Sequence, residues 1–200
     1  SLLDIVRQYS RERLLESGEA EAMSRRHRDY FIGFAERAGP ELVGSDQLRW
    51  FDRLDREHEN FRAVLTWCQS DPQGVGLSLR LAAALSRFWF VRGYFEEGRM
   101  WLKDAMARAG TSKRTSEWAK ALRTAGTLAL MQSDYISARP LLEESLAIVR
   151  ELGDRGAVAA TLMNLANATQ AQGDLALAQS YSEEALKTFR ELGAPRGIAS

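Results

Sequence analysis

The chain is poor in the residues that staple or interrupt a fold. It has one cysteine, Cys68, in 200 residues. Within one chain, neither a disulfide framework nor a cysteine-based zinc site can form. That usage fits a reducing compartment, and the expected location is the cytoplasm. Proline occurs only 4 times, and no charge dominates, because 27 Lys and Arg balance 27 Asp and Glu. The two halves differ little in charge. No strong field points to nucleic acid or to an anionic membrane, and neither is expected as a direct partner. The longest apolar stretch, near Leu85, is broken by Arg87 and Arg92, so no membrane span is expected. The start, Ser1-Leu2-Leu3-Asp4, lacks the charged-then-apolar order of a signal peptide and has no initiator Met. Residues 194–200 read as the opening of another helix. The chain is therefore expected to be a fragment of a longer protein. Neither a G-x-x-x-x-G-K-[ST] nor a G-x-G-x-x-G run occurs. No cofactor is expected, and any ATPase activity would lie elsewhere in the parent.

What the chain does have is Ala, Leu, Arg and Glu, all good helix formers, so an all-α protein is expected. It also repeats. Glu143-Glu144-Ser145-Leu146 returns as Glu183-Glu184-Ala185-Leu186, 40 residues on. Arg150-Glu151-Leu152-Gly153 returns as Arg190-Glu191-Leu192-Gly193, and Gln132-Ser133-Asp134 as Gln172-Gly173-Asp174, at the same offset. Three matches in one register mark a repeat architecture. A weaker copy precedes them, with Gly98, Trp101, Leu102, Ala105 and Met106 one period before Ala138, Leu141, Leu142, Ser145 and Leu146. Units are expected from about Gly76, Ser116 and Asp154, with a fourth echoed by Arg196-Gly197 after Arg155-Gly156.

Each unit reads as two helices. In the third, Asp154 is a candidate N-cap, and Leu162, Leu165, Ala166 and Thr169 follow helical spacing. Gly173-Asp174 makes the turn, Gly193 ends the second helix, and Pro195 suits the next first turn. Pro140 falls where a helix interior is expected and should kink or delay that helix. Ser86, Gly126 and Ala166 share one register of the first helices. Gly98, Ala138 and Ala178 share one register of the second. Small residues at those places allow close approach. This spacing resembles the tetratricopeptide repeat (TPR) in lengthened form, over residues 76–200. The expected fold is a TPR-like right-handed helical solenoid behind a non-repeating helical segment, residues 1–75.

The front segment reads as helices over residues 2–15, 19–38 and 46–70, the last with Trp50, Leu54, Phe61, Leu65 and Cys68 inward. Gly39-Pro40 should end the second helix, and Asp71-Pro72-Gln73-Gly74 reads as a linker. Ile5-Val6-Arg7-Gln8-Tyr9-Ser10, Arg25-Arg26-His27-Arg28-Asp29-Tyr30-Phe31, Asp52-Arg53-Leu54-Asp55-Arg56-Glu57-His58 and Arg87-Phe88-Trp89-Phe90-Val91-Arg92-Gly93-Tyr94 resemble, in order, bacterial STAND-type regulatory ATPases of the LuxR and AfsR/SARP kind. The resemblance implies a nucleotide-switch module before this region, a sensing helical repeat within it and a DNA-binding domain at one end. Residues 2–15 would be the end of a winged-helix-like module and a mechanical joint.

Catalytic chemistry finds little support. His27-Arg28-Asp29 has the letters of a kinase catalytic loop but lacks the downstream Asn, the D-F-G and the glycine loop. Asp52, Asp55, His58 and Glu59 could present metal-binding atoms on adjacent turns. Interleaved with Arg53, Arg56 and Arg62, they read instead as a solvated ion-paired face, and no metal is expected. Phe88, Trp89, Phe90, Tyr94, Phe95 and Trp101 read as core packing.

A concave groove lined by the first helices is the expected site. Its candidate residues are Arg80, Arg87 and Phe90, then Lys120, Arg123 and Thr127, then Asn164, Asn167 and Gln170. Arg and Lys hold carboxylates, and Asn and Gln bond a peptide backbone. The expected partner is a protein or an acidic or extended peptide, including another domain of the same parent. A plain scaffold and a small-molecule inducer sensor are the alternatives, and an enzyme is not expected.

Overall fold

The computed structural model describes residues 19–71, 74–109 and 114–193, and every regular element among them is an α-helix. The order is α1 (Ala20–Glu41), α2 (Gln47–Arg56), α3 (His58–Ser70), α4 (Gly74–Arg92), α5 (Phe95–Ala109), α6 (Ser116–Met131), α7 (Tyr135–Glu151), α8 (Arg155–Ala171) and α9 (Leu175–Glu191). The expected helix at residues 2–15, Pro72-Gln73, and the opening at 194–200 with Pro195 lie outside the described residues.

The repeats form as the pattern anticipates. Helices α4/α5, α6/α7 and α8/α9 pair, and each pair stacks on the next. Aspartates set 20 residues apart start three of these helices. Asp134, Asp154 and Asp174 accept hydrogen bonds from the backbone N–H of Ser137, Ala157 and Leu177, which would otherwise lack partners. The residue before each aspartate takes a positive φ, 57° at Ser133, 69° at Gly153 and 87° at Gly173. Close approach explains Gly126. A Cβ there would lie 2.7 Å from Leu142 Cγ and 3.2 Å from the Ala138 carbonyl oxygen on α7.

Helices α1 and α3 lie on α4, and one core runs from Phe31 in α1 to Ala185 in α9. By length and composition α4 could pass for a membrane span. Its Leu81, Ala82, Leu85, Phe88 and Trp89 are instead fully buried in this core.

Three expectations are corrected. Helix α1 does not stop at Gly39-Pro40 but runs on to Glu41. Proline clashes with the Cβ of the residue before it when that residue is helical, and Gly39 has none. The single helix expected over 46–70 is two, divided at Glu57. Buried residues Phe51, Leu54, His58, Phe61, Leu65 and Cys68 keep alternating three- and four-residue steps across the break, so periodicity could not reveal it. Pro140 does not delay α7, which starts at Tyr135. The proline is on the exposed face, where water can bond the carbonyl its ring leaves without a partner.

Candidate functional site

The first helices of the three pairs face one groove, and a cavity of about 630 Å3 opens in it. Helix α4 contributes Ser86, Arg87 and Phe90. Helix α6 adds Arg123, Thr124, Thr127 and Leu128, and α8 adds Ala160, Met163, Asn164 and Asn167. Ser182, Leu186 and Phe189 of α9 close one side. A second cavity, about 530 Å3, continues toward α1 and holds Arg80, Lys120, Glu36 and Glu117, with Arg87 and Ser86 shared. Of the nine residues expected from sequence, Arg87, Phe90, Arg123, Thr127, Asn164 and Asn167 meet in the first cavity. Arg80 and Lys120 lie in the second. Gln170 is exposed and lines neither.

The repeat register accounts for what sequence reasoning missed. One period after Lys120 and Arg123 come Ala160 and Met163, and both line the cavity. One period before Gln170 is Leu130, which is buried. A strict transfer by 40 residues from Arg123 adds Met163, but from Phe90 it selects Leu130 and Gln170, neither of which lines the cavity.

The cations differ in what they already hold. Arg80 donates from Nε and Nη2 to the two carboxylate oxygens of Glu36, at 3.0 Å each. Arg87 donates from Nε to the Leu42 carbonyl at 2.9 Å, which leaves its terminal nitrogens without a partner among the described residues. The guanidinium of Arg123 has no hydrogen bond or ion pair among the described residues. Burial pulls its guanidinium below the usual value, against the opposing pull of Asp154. Burial also lowers Lys120, as does the charge of Arg123, while Glu36 acts the other way. Asn164 donates from Nδ2 to Thr127 Oγ1 at 2.8 Å, so one amide group is spent within the wall and its carbonyl oxygen stays available.

The other candidate groups have structural partners. Asp52 and Asp55 pair with Arg92 at 3.3 and 2.6 Å, and Glu59 with Arg62 at 2.6 Å. The solvated face expected to include His58 does not include it. His58 is buried, facing Phe88 and Tyr94, with Nε2 2.9 Å from Glu97 Oε1. No group of three or more His, Cys, Asp or Glu among the described residues is arranged to hold a metal. In the His27-Arg28-Asp29 run, His27 faces Asn60 and Arg28 lies over Trp67. Of the aromatic cluster, Phe88 and Trp89 are fully buried, and Tyr94, Phe95 and Trp101 pack against the core. Phe90, 39% exposed, is the member that reaches the cavity. Burial pushes the Cys68 thiol up to about 11, so it is a packing group and not a nucleophile at neutral pH.

Comparison with known proteins agrees with the repeat architecture. Residues 117–191 match the model of the tetratricopeptide repeat family. The chain is similar to proteins of Mycobacterium bovis and Mycobacterium tuberculosis that bear the name "Putative HTH-type transcriptional regulator". Identity is 28% over 169 residues, covering 80% of this chain. The chain spans only 19% of the length of these relatives. Among solved structures, BtubC (BKLC) from P. vanneervenii aligns over 88% of this chain and 96% of its own, with a TM-score of 0.49 and 16% identity.

Proposed function

We propose that this chain is the interaction and sensing region of a multidomain bacterial transcriptional regulator, working in the cytoplasm by binding and not by catalysis. The observation that carries this reading is the groove cavity, where Arg87, Arg123, Thr127, Asn164 and Asn167 converge from three successive repeats. The similarity to proteins named as transcriptional regulators, most of whose length lies outside the matched part, supports a role within a larger machine. In the STAND-type arrangement that the sequence resembles, a nucleotide-switch module would precede this region. Ligand in the groove would favour one orientation of the repeats against that module and so shift its off and on populations.

The test is capture from lysate of the native host. The wild-type chain is compared with a double variant, Arg123→Glu with Asn167→Ala, after circular dichroism establishes equal helicity. Ligand or partner retained by the first and lost by the second supports the groove. Equal retention by both moves the site off the concave face.

A further inference from the structure

The distribution of charge along the groove narrows the ligand. Its positive residues would suit an extended acidic chain only if they were free along its whole length, and they are not. Toward α1, Arg80 is already neutralised by both oxygens of Glu36, and Glu36 and Glu117 put negative charge beside Lys120. A polyanion laid there would meet carboxylates. In the first cavity the balance reverses. Arg87 and Arg123 line it, and no carboxylate does among the described residues. Arg123 carries the larger unmet demand, being half-buried with no ion pair. Removing a guanidinium from water without a counter-ion is costly, and an anion beside it would offset that cost.

The rest of the wall mixes apolar side chains with uncharged polar ones, and more of its lining surface is apolar than polar. Phe90 and Met163 are 39% and 36% exposed, large for side chains that face a cavity, and the buried Leu128 lines it with them. Asn164 and Asn167, with the hydroxyls of Ser86, Thr124, Thr127 and Ser182, supply the uncharged polar atoms. A volume of about 630 Å3 falls in the range of roughly 300–1,000 Å3 usual for small-ligand sites. One anionic end with an apolar body is the chemistry this lining complements.

Resting on the reading of the groove as the sensing site, we infer that its ligand is a small amphipathic carboxylate. The carboxylate is held by Arg123 and Arg87, and the apolar body lies against Phe90, Leu128 and Met163. The bidentate geometry of an arginine fork suits a carboxylate, and Asn167 can donate to the same oxygens.

Calorimetric titration of the whole chain with decanoate tests this, beside decanamide (the same body without the charge), acetate (the charge without the body) and hexaglutamate. Decanoate should saturate a single site, with decanamide and acetate each at least about tenfold weaker. Arg123→Gln should weaken decanoate by about tenfold or more and leave decanamide unchanged, and Met163→Asp should abolish decanoate binding. Arg87→Gln, on an exposed side chain, gives a second reading should Arg123→Gln disturb folding. Decanoate that fails to bind, binds no tighter than decanamide, or ignores both arginine variants overturns the inference. Hexaglutamate binding that is lost in Arg123→Gln, with decanoate inert, would overturn it while leaving the groove as the sensing site. Failure of every probe together with equal capture by both lysate baits would sink both readings.

Discussion

Ser133 shows how much a single backbone position matters in this chain. It occupies the place in its turn that Gly153 and Gly173 occupy in the next two turns, and it adopts φ 57°. A left-handed conformation costs a side-chain-bearing residue about 1 kcal/mol or more, and glycine almost nothing. The turn holds because the Ser133 N–H donates to the Leu130 carbonyl at 2.9 Å and that of Asp134 to Ala129 at 2.9 Å. Ser133→Gly should therefore raise stability by about 0.5–1 kcal/mol, read as a higher urea midpoint at unchanged slope. The repeat match between Gln132-Ser133-Asp134 and Gln172-Gly173-Asp174 made this turn legible in advance.

At the scale of the helix, Gly126 sets how closely α6 approaches α7. Alanine is the better helix former by about 1 kcal/mol, so an isolated helix would welcome Gly126→Ala. Here the new Cβ would meet the branched Cγ of Leu142 at 2.7 Å, against a core with little room to yield. Overpacking of that kind costs about 1–3 kcal/mol, so Gly126→Ala should be net destabilising by about 1–2 kcal/mol, measured by thermal or urea unfolding. A neutral or stabilising result would mean that the two helices slide apart cheaply. Successive pairs are also tied on their surface in the repeat register. Arg99 reaches Gln132 and Asp134 at 2.7 and 2.6 Å, and Arg139, one period on, reaches Gln172 at 3.3 Å. Within a pair, Arg114 with Glu151 and Arg155 with Glu191 tie the start of the first helix to the end of the second. Exposed pairs of this kind add little stability each, and their regularity fixes stacking more than it strengthens it.

Over the whole molecule, the front helices and the repeats are joined by a polar clamp as well as by the shared core. Glu97 of α5 accepts from Arg62 of α3 through both oxygens, at 3.0 and 2.5 Å, and from His58 at 2.9 Å. Burial alone would raise the Glu97 carboxyl. The Arg62 hydrogen bond and the charges of His58 and Arg62 outweigh burial and hold it below the usual carboxylate range. A carboxyl lowered in the folded state contributes stability that is present above its unfolded value, about 4.3, and is lost as pH falls through the folded one. The wild type should therefore exceed Glu97→Gln in stability near neutral pH, and the gap should shrink as pH drops below about 4. Melting both proteins across that range checks it. A gap independent of pH would show that the clamp acts through packing and not through charge.

The 40-residue period, the all-helical content and the turns between paired helices were determined by the sequence itself, because small residues, aspartate caps and turn glycines act locally and recur in register. The face carrying the groove was legible for the same reason, and Arg87, Arg123, Thr127, Asn164 and Asn167 meet there. Only the tertiary structure decided the rest. The break at Glu57 leaves no mark in a hydrophobic pattern that continues across it. The neutralisation of Arg80 depends on Glu36, 44 residues earlier and on a different helix. The isolation of Arg123 is likewise a property of what surrounds it in space. A residue type in a repeat register says where a charge will stand, and only long-range packing determines whether it is already satisfied.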